Sequence, residues 1–235
     1  MTVVEKIKYY NSVTGPSGER LATFFRFQNK PNSDFPNIYK PFDSLLNHHS
    51  RLVRNTRLWL EGILTEEQIT ETQNILTSHD VLELRDGDVS RLNTDETAEE
   101  FADGLGELLL DEDIKPYIDF LKGQLFLEKG INELPDSSLS LVARMMDTAD
   151  GNYFAFCLLA EYAEKVGGEV LDDRLQVLLD RSYAYVNKMR VKYKERLKLA
   201  RGGYDLDLDL VLKKIQDKEE EVLKNLSARI SKAGY

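Results

Sequence analysis

From Phe42 to the C-terminal region, apolar residues recur at helical spacing, interrupted only by glycine pairs and short polar loops. A chain that keeps this period over so long a stretch has few options besides packed helices. Helices are expected over about 42–63, 65–84, 94–110, 113–129, 137–166, 172–201 and 206–232. Thr65 followed by Glu66 and Glu67 opens the second, and Pro116 lies in the first turn of the fourth. Gly130, Gly167-Gly168 and Gly202-Gly203 are stop signals. Residues 1–40 differ: Gly15-Pro16-Ser17-Gly18 and three further prolines up to Pro41 read as an irregular arm, with a short extended piece at Leu21–Phe27. The expected architecture is all-α: an irregular arm over 1–41, a helical core over 42–165 and a helical extension over 166–235 that ends in two long charged helices. The 235 residues are expected to form one large domain.

Charge and composition narrow the function. A net charge of −10 argues against a broad nucleic-acid surface, which needs clustered Lys and Arg, yet leaves room for a small anionic substrate held by a metal and a few arginines. One cysteine, Cys157, precludes an intramolecular disulfide framework and fits a reducing compartment; its apolar surroundings mark it as a core thiol. The opening Met1-Thr-Val-Val-Glu-Lys lacks the apolar region of a signal peptide, and no stretch reaches the ~20 apolar residues of a membrane span. A cytoplasmic protein is expected.

Only three histidines occur, and their neighbours are acidic. His79 is followed directly by Asp80, then by Glu83 and, after Gly87, by Asp88. On the second helix Ile69, Ile75 and Leu76 form the apolar stripe. His79 is four after Ile75, Asp80 four after Leu76 and Glu83 four after His79, so polar residues continue the buried face where core residues belong. On the first helix His49, four after Leu45 and three before Leu52, faces inward, while His48 lies about 100° away on the exposed side. Burying unpaired carboxylates costs several kcal/mol, and one divalent cation compensates them. A further ligand is expected from a distant helix, where Asp147 and Asp150 share a face with Arg144 inside an apolar run. Buried histidines without metal are the bland alternative.

In this order, His49-Ser50, His79-Asp80 and an Asp after Leu141-Val-Ala-Arg-Met-Met146 resemble the H…HD…D signature of the HD-domain phosphohydrolases. The stretch His79-Asp80-x-x-Glu83-x-x-x-Gly87-Asp88 is similar to the form found in the bacterial 5′-deoxyribonucleotidase branch, over roughly residues 42–165. The resemblance implies an HD-domain helical bundle in which His49, His79, Asp80 and Asp147 hold one divalent metal ion (Mn, Co, Fe, Zn, Ni or Mg). It also implies Glu83 as acid/base residue beside an attacking water and Asp88 as a contact to the nucleotide sugar. The implied activity is phosphate release from a nucleoside monophosphate. The expected partner is a small-molecule nucleotide, with no nucleic acid and no membrane, and a homodimer is compatible with the reading. The arginine-bearing segment that usually precedes the first histidine is replaced by Lys40-Pro-Phe-Asp-Ser-Leu-Leu46, and Asp147 is followed by Thr-Ala-Asp-Gly, which leaves Asp150 a rival ligand. Arg51, Arg54, Arg57 and Arg144 are candidate phosphate partners, the first three otherwise plain surface charges. Two other readings remain. Glu99, Glu100, Asp103 and Glu107 with Asp147 and Asp150 resemble an all-α NTP pyrophosphohydrolase site, and a non-catalytic HD-like module would bind a nucleotide or a protein.

Overall fold

The computed structural model describes residues 45–79, 111–166 and 173–232. Among these residues the chain is all-α, with six helices and no strand. They are α1 (Leu45–Leu60), α2 (Glu66–Ser78), α3 (Asp111–Gln124), α4 (Ser138–Val166), α5 (Asp173–Ala200) and α6 (Leu208–Lys232). The expected arm over 1–41, the expected helix over 94–110, and Asp80, Glu83 and Asp88 lie outside the described residues.

Local chemistry sets the boundaries. Thr65 caps α2 as a full capping box: its hydroxyl accepts from the Gln68 N–H at 3.2 Å, and the Gln68 side-chain oxygen accepts from the Thr65 N–H at 2.9 Å. The first helix stops at Leu60 rather than continuing to Ile63. Gly62 there adopts φ 80°, a left-handed conformation that suits glycine, and the Ile63 and Leu64 N–H groups turn back onto the Leu60 carbonyl. The third helix does not end at Gln124. It widens into a π-helical turn over Leu125–Lys129, closed by Gly130.

The long central helix α4 is the element around which the others pack; α1, α2, α3, α5 and α6 all touch it. Its Leu141, Val142, Ala143 and Met146 are fully buried, joined in one core by Leu52 and Leu60 of α1, Leu76 of α2, Phe126 and Leu127 of the π turn and Val211 of α6. A second cluster, Phe156, Leu159, Ala160 and Ala163 with Val186, Leu223, Leu226 and Ile230, joins its far half to α5 and α6. The crossing of α3 and α4 is close: a Cβ on Gly123 would lie 3.2 Å from the Ser140 carbonyl oxygen.

Asp119 ties that crossing together from beneath. This buried carboxylate accepts from the Asp136 and Ser137 N–H groups at 2.5 and 2.9 Å and from the Ser140 hydroxyl at 2.5 Å. It thus satisfies donors at the start of α4 from another helix. Beside it, the Tyr204 hydroxyl donates to the Pro135 carbonyl at 2.5 Å. Burial, with Asp119 and Asp136 nearby, pushes the Tyr204 phenol up to about 12.

Two outcomes follow. Asp119→Ala is expected to lower stability by about 2–3 kcal/mol in urea unfolding, since charge-assisted bonds and buried donors are lost together; an unchanged midpoint would refute the cap. For Tyr204 the raised phenol leaves stability intact below the unfolded value of about 10. Stability then falls as pH climbs through about 12. In Tyr204→Phe the part of the alkaline slope due to this phenol disappears from a pH series of unfolding midpoints.

Candidate metal centre

Three helices send one side chain each to a common point. His48 comes from α1, His79 is the C-cap of α2, and Asp147 sits one third of the way along α4. His48 Nε2 and His79 Nε2 are 3.4 Å apart, and each lies 3.3 Å from Asp147 Oδ1. The three residues are 0, 8 and 6% exposed.

The outer nitrogens show which way these rings are protonated. His48 Nδ1 lies 2.9 Å from Asp150 Oδ2, and His79 Nδ1 lies 2.6 Å from the Leu76 carbonyl oxygen. Both partners are acceptors only, so each Nδ1 carries a proton, and a ring with no second proton turns its Nε2 lone pair inward. Two imidazole lone pairs and a carboxylate oxygen then face one another, an arrangement that needs a proton or a cation between them. Ligand bonds of ~2.0–2.1 Å at tetrahedral angles require donor separations of roughly 3.3–3.4 Å. The triangle has these edges, and nitrogen with carboxylate oxygen is the donor set of first-row divalent metals. The residues therefore fit a divalent ion.

The surroundings are charged and paired. Asp150 accepts from Arg51 Nε at 2.8 Å and from Arg51 Nη2 at 2.6 Å, and the Arg51 guanidinium lies 5.0 Å from the centre of the Phe154 ring. On the other side Arg144 donates to Asp147 Oδ2 and, at 2.7 Å, to Glu128 of the π turn. Burial alone would push the Asp147 carboxyl up. The charges of His79 and Arg144 and the hydrogen bonds of both histidines outweigh that and hold it well below the ordinary carboxylate range. Asp150 is likewise lowered against its burial, by His48 and then by Arg51.

The structure brings His79 and Asp147 together, as the sequence expects, but with His48 as the third donor. His48 is not on the exposed side: it is fully buried. The reason lies in α1, which packs against α2, α4 and α6, so its buried residues His48, His49, Leu52, Asn55, Thr56, Trp59 and Leu60 span an arc of about 140° rather than a narrow stripe. His48 heads the row His48, Leu52, Asn55, Trp59, a signal present in the sequence as its spacing of four before Leu52. His49 is buried too, its ring centre 5.8 Å from that of His48 and 5.6 Å from that of His79. Asp150 stands one step out, on His48. Arg51 is not a plain surface charge, with 13% of its side chain exposed. Arg57 is one: it pairs with Glu66 on the surface. The rival acidic set at Glu99, Glu100, Asp103 and Glu107 lies outside the described residues.

Comparisons of the chain with protein-family models, with curated proteins and with solved structures gave no match.

The arrangement makes His48 and His49 opposite controls. One equivalent of Zn²⁺ or Co²⁺ is expected to bind in a calorimeter. His48→Ala should weaken binding by more than the roughly 10–100-fold that loss of an outer partner costs, and His49→Ala by far less. Equal effects, or the reverse order, would remove His48 from the ligand set.

Proposed function

We propose that this chain is a metal-dependent phosphohydrolase acting on a nucleotide, with His48, His79 and Asp147 as its described metal ligands. The carrying observation is the buried triangle of His48 Nε2, His79 Nε2 and Asp147 Oδ1, built on the same His79 that opens the His79-Asp80-x-x-Glu83 stretch. No helix among the described residues is long and apolar enough to cross a membrane. With a single cysteine, that fits action on a small metabolite in the cytoplasm.

A bound divalent ion supplies Lewis acidity toward a phosphate oxygen and an acidified water. The chain's own residues do the rest. His48 and His79 are held by Asp150 and the Leu76 carbonyl, so neither ring need reorient on binding. Asp80 adjoins His79 in sequence and would add a further carboxylate. Glu83 would take or hold the proton of the attacking water, and Asp88 would meet the sugar.

Nucleoside monophosphates and triphosphates are to be screened for phosphate release with Mn²⁺, Co²⁺, Zn²⁺, Ni²⁺, Fe²⁺ and Mg²⁺. Release is expected with at least one pair, abolished by chelator and reduced by at least about 10³-fold in Asp80→Ala and His48→Ala. Activity indifferent to both would overturn the reading, and pyrophosphate as product would favour the all-α pyrophosphohydrolase. The near-complete burial of His48, His79 and Asp147 also favours a second reading, in which the ion is a structural staple in a non-catalytic binding module. Chelation would then lower the melting temperature while no nucleotide is cleaved.

A further inference from the structure

Asp147 does not meet the histidines alone. Its second oxygen, Oδ2, is taken by Arg144 Nη1, one helical turn earlier on α4. The same guanidinium is held from its other side: Nε and Nη2 both lie 2.7 Å from Glu128 Oε1. Glu128 belongs to the π-helical turn that follows α3. Its Oε1 in turn accepts from the Tyr193 hydroxyl of α5 at 2.9 Å, and Thr148 Oγ1 lies 2.8 Å from that hydroxyl. Lys192 also donates to the Glu128 backbone carbonyl. The Phe120 ring is shared between the two sides of the site, 4.9 Å from the His79 ring and 5.8 Å from the Arg144 guanidinium.

We propose that Glu128, Arg144 and Tyr193 are positioning residues for the metal ligand Asp147, a chain of contacts that runs from α5 through the π turn to the metal centre. This rests on the metal site proposed above. Four observations carry it. Arg144 occupies Oδ2 and thereby presents Oδ1 as a single donor to the histidine nitrogens, which favours one-oxygen coordination over a two-oxygen grip. A guanidinium left to itself pairs with both oxygens of one carboxylate. Here Glu128 takes Nε and Nη2, so only Nη1 is left for Asp147. The π turn supplies the reach: its extra residue per turn is a costly local geometry that recurs at functional sites, and here it carries Glu128, with 7% of its side chain exposed, to a guanidinium on α4. The Tyr193 hydroxyl, 3% exposed as a residue, donates to the same Glu128 Oε1 that holds Arg144, from a helix that contributes no metal ligand.

The device differs from that on the opposite side, where Arg51 and Asp150 act on His48: one holds a histidine tautomer, the other holds the register of a carboxylate.

The test is the affinity and visible absorption of Co²⁺ in the full chain, with circular dichroism to establish that each variant is folded. Glu128→Gln keeps the shape and removes the charge; Tyr193→Phe removes one hydroxyl and is the milder change should Glu128→Gln fail to fold. Each is expected to weaken Co²⁺ binding by about 10–100-fold, the loss typical of an outer hydrogen-bond partner, and to change the absorption envelope as the Asp147 carboxylate shifts its coordination. Arg144→Lys, which keeps the charge without the fork, should show the altered envelope as well. A merely structural role would lower the melting temperature and leave the affinity and spectrum of the folded variant as in the wild type; that result overturns the proposal. Wild-type protein that binds no Co²⁺ would overturn the metal site itself and this role with it, whereas wild-type binding with unchanged variants overturns only the role.

Discussion

Three electron pairs pointing at one another organise this protein. His48 and His79 have their outer nitrogens occupied by acceptors, so their inner nitrogens cannot donate to Asp147 while the rings stay neutral. The only stable solutions place positive charge in the middle. That constraint reaches into the helices that carry the ligands. The first helix must turn His48 toward α2, the second must end at His79 with its Nδ1 against Leu76, and α4 must run polar at Asp147 in the middle of an apolar stretch.

The charged groups around the three donors are themselves paired. Two arginine–carboxylate pairs, Arg51 with Asp150 and Arg144 with Glu128, flank the centre and are themselves largely buried. Buried pairs of this kind add little to stability relative to apolar packing, and breaking one partner is costly. Their value is geometric: each fixes the orientation of one group that faces the centre. The fold accommodates them by surrounding α4 with the other helices, so that every pair is sealed by apolar side chains on at least one side, Phe154 beside Arg51 and Phe120 beside Arg144.

Much of the helical framework is readable in the sequence. The capping box at Thr65, the stop at Gly130, and the spans of α4, α5 and α6 follow from periodicity, caps and breakers, which act over a few residues. The end of α1 does not follow: the helix stops at Leu60, three residues short of Ile63, and Gly62 turns left-handed. The cap on α4 by Asp119 is equally hidden, since donor and acceptor sit on different helices and only their packing brings them together. Within the candidate site, His79 and Asp147 are marked by polar residues standing in apolar stripes. Glu128 carries no such mark: its position depends on a π turn that no local pattern announces.

The limit is sharpest at two pairs, His48 with His49 and Asp147 with Asp150. Local spacing put His49 inward and His48 outward, and set Asp147 and Asp150 on one face, because a helix face is set by the 3.6-residue period. The structure buries both histidines and makes His48 the donor. Which member becomes a donor depends on the width of the buried arc, and that width is a property of the neighbours. On α1, contact with α2, α4 and α6 buries both histidines and hands the inner place to His48. On α4, the approach of His48 with its Nδ1 toward Asp150 leaves Asp147 nearest both Nε2 atoms. A sequence encodes the direction of a side chain from its own helix; the partner it meets is decided by how the helices cross.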